Sequence, residues 1–455
     1  MPAGLALVPW LWLHRGRQLL AATLLLGLAA LPAQGSASQG PASQGPASLG
    51  PASLGPATAV SAVDAAHDDE AGEECSVGVA HGKATVDGRP LLWKNRDAQK
   101  RDNVVTAFDD GRFPYVAICD AGSKTAVWGG ANAAGFCIMN SVSRDLPQGS
   151  KQGPGNGGFM KLALMRCATV DEFAALLEET NSSGRTTRAN FGVIDAHGGA
   201  AFFETSHREY HRFDAKAAEN GILVRTNFAT TANGKGGRER FARASALCQA
   251  IPRGKLDHTF LLQQFCRDLQ APKSAEDGGD DRQDVRETLH RQTTVAAMVF
   301  HGCKPGEDPG TTTMWAVVGQ PLFAPAVPCF PAVGKVSVLL AGDPKSRLCN
   351  LALELQGAFY DLPQPVAPDA EPLEADVAGA IRWLRRTGLD EVRRAVLAAE
   401  QAQFAAAGDE LERWRGREKL TEEAKAALYL LHERSARAAE ALLGKLVADA
   451  TATAR

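Results

Sequence analysis

The chain has 455 residues, with 49 basic and 52 acidic side chains for a formal net charge of −3, and 45% of it is hydrophobic. That balance leaves no electrostatic footprint for nucleic acid, and the apolar fraction is enough for a sizeable core. Nine cysteines are too few for a disulfide scaffold, and their odd number leaves at least one thiol unpaired in an exported monomer. At ~150 residues per folding unit the length predicts about three units, less whatever is processed or unstructured.

His14, Arg15 and Arg17 precede an uncharged apolar run from Leu19 to Leu31. A helix needs ~20 apolar residues to span a bilayer, so this shorter run suits a secretory h-region, with Ala33 or Gly35-Ser36-Ala37 as cleavage sites. Arg15 and Arg17 are separated by Gly16, which favours general export over the twin-arginine route, and no cysteine follows to take a lipid. A signal peptide over 1–37 and a secreted or periplasmic protein are therefore expected. Residues 40–58 repeat a five-residue Gly-Pro-Ala-Ser unit, and Asp68, Asp69, Glu70, Glu73 and Glu74 make an acidic end. Such composition cannot bury enough apolar surface to offset ordering, so 38–74 reads as a disordered spacer or propeptide.

Complexity rises abruptly at Cys75. Cys75-Ser-Val-Gly-Val-Ala alternates as a strand does, Val86-Asp87-Gly88-Arg89 is a turn, and Leu91-Leu92-Trp93 opens a second strand ending at Lys94-Asn95-Arg96-Asp97. A hairpin of this kind can set the cysteine beside the charged cluster. If the chain is cut between Glu74 and Cys75, the new α-amine has an ordinary pKa of ~7.7–8.0, close to what a general base needs. Nucleophile and base then share one residue. Half of a disulfide, or a plain exposed thiol, is the alternative for Cys75 taken alone.

Cys75-Ser-Val-Gly78, Asp87-Gly88 and Lys94-Asn95-Arg96-Asp97 together resemble the opening of the cysteine N-terminal-nucleophile (Ntn) hydrolases. The resemblance is to the superfamily of choloylglycine hydrolase, penicillin V acylase and the 6-aminopenicillanic acid acyltransferases, the linear-amide C–N hydrolases. It continues in order through Gly130-Ala-Asn132-Ala-Ala-Gly135 with Asn140, the hairpin Ala189–Asp195 and Ala200–Glu204, Thr226-Asn227-Phe228, and Glu239-Arg240-Phe241. What it implies is Cys75 as nucleophile with its α-amine as base, and Asp97 orienting that amine. Asn227 would aim a donor at the tetrahedral oxygen, Asn140 would be a second active-site asparagine, and Arg240 a fixed charge near the thiol. Two positions depart from the pattern. Lys94 stands where the family has arginine and lacks the planar fork, which predicts a rearranged local network. Glu74 precedes the nucleophile where self-cleaving relatives often have a small residue.

No HExxH, CxxC or metal-ligand spacing of histidines occurs, and Gly153–Gly158 and Gly234–Gly237 match neither phosphate-loop pattern. No cofactor and no metal is expected, and His81, His207, His211, His290 and His301 read as surface or strand histidines. Residues 75–145 are strand-rich, Gly158–Thr180 reads as a helix, strands resume over 190–229, and 238–270 looks helical. Glu276–Asp284 reads as a solvated loop, and Thr293–Phe300 with Thr312–Val318 as a strand pair. Ala375–Arg386, Leu389–Ala407 and a helix capped by Thr421 and running through Val447 form a helical tail. The sequence alone says α+β; the resemblance implies a four-layer αββα Ntn sandwich over 75–345, with a helical C-terminal extension over 370–455.

The expected function is an exported cysteine amidohydrolase cleaving a linear C–N amide through an acyl-thioester. An acyltransferase, an Ntn dipeptidase and a non-catalytic secreted binding protein on the same fold are the alternatives. The expected partner is a small-molecule amide, with no nucleic acid and no membrane span once the signal is removed; the C-terminal helices are expected to pack on the core, a homo-oligomer through them being the alternative.

Overall fold

The Asp87-Gly88 turn folds Glu74–Ala80 (β1) back antiparallel onto Leu91–Asp97 (β2). Asp87 Oδ1 accepts from the Arg89 backbone at 3.1 Å and Gly88 takes a φ of 78°, as this kind of turn requires. The structure is a computed structural model and describes residues 73–149, 152–342, 344–360, 383–417 and 419–453. The leader, the spacer up to residue 72 and residues 375–382 of the expected first C-terminal helix lie outside the described residues.

Around the hairpin grows a six-stranded antiparallel sheet, completed by Ile222–Arg225 (β10), Thr294–His301 (β12), Thr313–Val318 (β13) and Val327–Cys329 (β14) in the order β10-β1-β2-β12-β13-β14. A second antiparallel sheet is a seven-stranded meander: Asn103–Phe108 (β3), Tyr115–Asp120 (β4), Gly129–Asn132 (β5), Cys137–Val142 (β6), Ala189–Ile194 (β7), Ala200–Thr205 (β8) and Tyr210–Asp214 (β9). The sheets face one another through Val77, Val79, Leu92, Met139, Val116 and Phe202, which belong to one buried cluster. A Cβ built on Gly192 of β7 would lie 3.0 Å from both Val79 and Leu92, so odd positions of β1 and even positions of β2 point between the sheets. The opposite face of β1 carries Gly78, whose missing side chain makes room for the Trp93 ring; a Cβ there would sit 1.9 Å from it.

Helices cover both outer faces. Asn156–Arg166 (α1) and Val170–Asn181 (α2) lay Phe159, Leu164, Phe173 and Leu177 on the second sheet, where Phe136, Phe191 and Phe203 complete a separate core. Over the first sheet lie Arg238–Ala250 (α3), the short turn His258–Phe260 (α4) continued by a π turn through Phe265, Val338–Ala341 (α5) and Arg347–Gly357 (α6). This is the four-layer αββα sandwich the resemblance implies. The C-terminal helices Leu389–Trp414 (α7) and Glu422–Thr453 (α8) pack onto the same side, joined to the core by the fully buried pair Arg267–Glu400 at 2.6 Å. Thr421 Oγ1 accepts from Ala424 N at 3.1 Å and caps α8. Among the described residues no helix is long and apolar enough to cross a membrane.

Several local expectations change. The stretch 158–180 is two helices, because Thr169 accepts from Glu172 N at 3.0 Å and starts a new one. The stretch 238–270 breaks after Ala250, with no helix again until His258. Within the acidic stretch 276–284, Arg282–Asp284 (β11) pairs with Trp383–Arg385 (β15), which was expected to be helical. Helix α6 falls between the two expected domains and packs on α8. His290 and His301 are buried, the latter held to Asp87 at 2.7 Å. All nine cysteines are free thiols. The boundary at Cys75 also shifts: Glu74 is the first residue of β1, and Glu73 before it is buried.

Candidate active site

Strand β10 pairs with β1 up to Val77↔Arg225, then bends away. Continuing that register by two residues brings Asn227 opposite Cys75, and the asparagine side chain takes over where the ladder stops. Cys75 N, a peptide nitrogen in the intact chain, donates to Asn227 Oδ1 at 3.0 Å. Asn227 Nδ2 donates to the Val142 carbonyl at 3.0 Å, which fixes the amide with its oxygen toward the cysteine. Arg240, in the first turn of α3 and fully buried, donates to the same Oδ1 at 3.0 Å and to the Cys75 carbonyl at 3.0 Å. Three residues remote in sequence thus close around one nitrogen.

Asp97 ends β2 opposite Glu74 and is fully buried. Its Oδ1 accepts from Thr294 Oγ1 at 2.6 Å on β12, whereas Oδ2 has no hydrogen-bond partner and lies 3.7 Å from Arg291 Nη1. Burial pushes the Asp97 carboxyl up to about 6, against the pull of Arg291, Arg240 and the Thr294 hydroxyl. Glu74 shares this outer face. Its carboxylate receives Arg291 Nη1 in a very short contact and Arg240 Nη2 at 3.2 Å. Burial alone would raise the Glu74 carboxyl, but the two arginines hold it below its ordinary value.

The thiol points between the sheets, and Cys75 has no exposed surface. Burial pushes the Cys75 thiol up to about 11; Lys94 pulls it down, while Glu73 and Asp97 push it further up. Lys94 Nζ, wholly buried, donates to Asn140 Oδ1 at 2.8 Å and to the Trp128 carbonyl at 3.0 Å. Asn140 Nδ2 is buried without a partner. Glu73 is held on this side by Arg96 at 2.9 Å, and Arg96 also reaches Asp120 at 3.0 Å and stacks 4.4 Å over Trp128.

Cys75, Asp97, Asn227 and Arg240 therefore lie in one cluster around the start of β1, with Asn140 joined to it through Lys94. Arg240, which could have been one of several surface arginines of α3, is a buried member. One expected orientation differs, because Asn227 presents its oxygen to the cysteine nitrogen and spends an N–H on Val142. Arg291 and Thr294 had no motif to announce them; they arrive through the β2–β12 pairing of Asp97 with Thr294. Among the described residues no group of three side chains is arranged to hold a metal ion.

No family model matches the chain, and neither does any curated protein. It is similar to the solved structure of a Caenorhabditis elegans ortholog of N-acylethanolamine-hydrolyzing acid amidase, at 15% identity over 50% of this chain and 92% of that one, with a TM-score of 0.36. Penicillin V acylase from Agrobacterium tumefaciens overlaps at 15% identity, 59% and 89% coverage and a TM-score of 0.39. A variant of the conjugated bile acid hydrolase from Clostridium perfringens does so at 11%, 54% and 89%, with a TM-score of 0.34. The fold of this chain rests on its own strand registers and its two cores, not on these overlaps.

Proposed function

We propose that the chain is an exported cysteine amidohydrolase acting on a linear, non-peptide amide through a thioester on Cys75, after a cut between Glu74 and Cys75. The observation that carries the reading is the setting of Cys75 N. It is held by Asn227 Oδ1, itself gripped by Arg240, at a strand start where a buried carboxylate keeps one oxygen free of hydrogen bonds. A peptide nitrogen has one proton to give; a freed α-amine has more. Asp97 Oδ2, without a hydrogen bond and 3.7 Å from Arg291 Nη1, is an acceptor suited to orient such an amine.

In the working cycle the α-amine takes the Sγ proton as sulfur bonds to the substrate carbonyl carbon. The carbonyl oxygen gains the negative charge, and Asn140 Nδ2 is the buried donor left to receive it. The C–N bond then breaks, the amine returns its proton to the departing nitrogen, and a thioester remains. Water, deprotonated by the same amine, attacks the thioester, and the acid leaves with Sγ reprotonated. The first cut follows the same bond changes: sulfur attacks the Glu74 carbonyl, the Glu74–Cys75 bond breaks with the thiol proton passing to the new amine, and water resolves the thioester. Oriented amine and preformed donor are the two devices on which acyl transfer of this kind depends.

Intact mass and N-terminal sequencing of the processed protein, with alkylation by chloroacetamide and turnover of a panel of acyl p-nitroanilides, test the reading. A chain starting at Cys75, labelled there and inactive as Cys75→Ala, is the expected result. A mature chain starting anywhere else has no α-amine on its thiol residue, and the mechanism falls.

A further inference from the structure

The first acyl group that Cys75 would carry is that of the residue before it. In self-cleavage the thioester is formed with Glu74, so the fold already accommodates a glutamyl group on that sulfur. Between the scissile carbonyl carbon and the Glu74 carboxylate lie three carbons, which makes the acyl unit a five-carbon dicarboxylic one. Its far carboxylate is received by Arg291 and by Arg240 Nη2 at 3.2 Å. We infer that the substrate's acyl group carries the same carboxylate, so that the enzyme takes amides of five-carbon dicarboxylic acids, glutaryl or glutamyl in kind. This rests on the reading of Cys75 as a self-exposed nucleophile.

The charges left after the cut favour this side of the site over the other. Arg96 loses Glu73 but keeps Asp120 at 3.0 Å and Asn103 at 2.5 Å, and so stays paired. Arg291 and Arg240 lose their shared carboxylate. The anions that remain near them are Asp97 at 3.7 Å from Arg291 and Glu287 at 3.9 Å from Arg240, whose other bonds go to the neutral Asn227 Oδ1, Cys75 carbonyl and Ser76 Oγ. The side chain of Arg240 is fully buried and that of Arg291 is 11% exposed, so both charges are screened poorly by water. The Nε atoms of both are buried without a hydrogen-bond partner. A returning carboxylate replaces the lost anion at no new desolvation of the arginines, whereas a neutral acyl chain leaves two guanidiniums facing it.

The test compares kcat/KM of the processed protein for p-nitroanilides of glutaric acid, its monomethyl ester, butyric acid, and the four- and six-carbon dicarboxylic acids. A charge-assisted hydrogen bond is worth enough to favour glutaryl over its methyl ester and butyryl by about 10–100-fold, with the optimum at five carbons. Arg291→Met should lower the glutaryl-to-butyryl ratio at least tenfold, and Arg291→Lys should restore part of it. The wild-type series stands alone if Arg291→Met fails to fold. Equal or faster turnover of the neutral amides, or a ratio untouched by Arg291→Met, overturns the substrate class while leaving the amidohydrolase standing. Failure to turn over any amide, with Cys75 unlabelled, removes both.

Discussion

Thr294→Val isolates the support of the buried carboxylate. The Thr294 hydroxyl is the hydrogen-bond donor to Asp97 Oδ1, at 2.6 Å, and it also accepts from Arg291 N at 2.9 Å. Asp97 titrates at about 6 in the fold against an ordinary 3.8, so ionising it in place costs about 3 kcal/mol relative to the unfolded chain. The sign follows from proton uptake: between those two values the folded chain holds a proton that the unfolded chain releases. Stability therefore falls as pH rises from about 3.8 to about 6, then levels off. A hydrogen bond to the ionised carboxylate is worth about 1.5–3 kcal/mol, so its loss moves the Asp97 titration upward by about one to two pH units. Thr294→Val should then keep losing stability up to pH 7–8, and at pH 8 lie about 1.5–3 kcal/mol further below the parent than it does near pH 4. The loss at Arg291 N is present at every pH and cancels in that comparison. Urea unfolding from pH 4 to 8 measures it, in a Cys75→Ala background that keeps the chain uncut, with Thr294→Ser as the hydroxyl-retaining control. A deficit of the same size at pH 4 and pH 8 would refute the reasoning.

Two other outcomes follow from the packing. Glu400→Ala strands the Arg267 guanidinium, otherwise bonded to Glu400 at 2.6 and 3.1 Å, and frees Ala326 N from its 2.7 Å bond. A loss of about 3–5 kcal/mol in urea unfolding is expected, most of it recovered in Arg267→Met with Glu400→Leu; a loss under about 1 kcal/mol contradicts the buried pair. Because burial holds the Cys75 thiol at about 11, the uncut chain should resist alkylation at that residue at pH 7.5, and gain reactivity toward about pH 10–11 or on processing. Peptide-mapped iodoacetamide labelling decides it, and equal labelling of cut and uncut chains at pH 7.5 would count against a closed precursor site.

What could be read in advance was whatever local chemistry determines. The Asp87-Gly88 turn specifies the hairpin, and the hairpin's register alone sets Asp97 beside the residue preceding Cys75. Asn227 was legible only through the resemblance at Thr226-Asn227-Phe228; its place two residues beyond a strand that pairs with β1 is long-range and belongs to the fold. The break at residues 167–169 had a signature as well, since Thr169 and Glu172 have the spacing of a capping box: Thr169 Oγ1 accepts from Glu172 N, and Glu172 accepts from Ala168 N, one residue before the cap, at 2.5 Å. The apolar stripe running through it outweighed that signal. Arg282–Asp284 could not be read, because its strand partner lies about a hundred residues later and nothing local distinguishes it from an acidic loop.

The acidic run before Cys75 is the instructive failure. Composition assigns Glu73 and Glu74 to a solvated spacer, and low complexity does end there. Yet each glutamate is met by an arginine distant in sequence: Arg96 for Glu73, Arg240 and Arg291 for Glu74. A charge in sequence reports only that a partner or water must be found; the fold decides which, and here a strand of the first sheet, the loop before β12 and a helix converge on the last residues of the run. An exposed spacer end would leave Arg240 and Arg291 as buried cations beside Asp97 and Glu287 alone, which a low-dielectric site tolerates poorly. The arginines were built for an anion. If the chain is cut after Glu74, that requirement outlives the glutamate, and the same requirement makes the carboxylated acyl group the expected occupant.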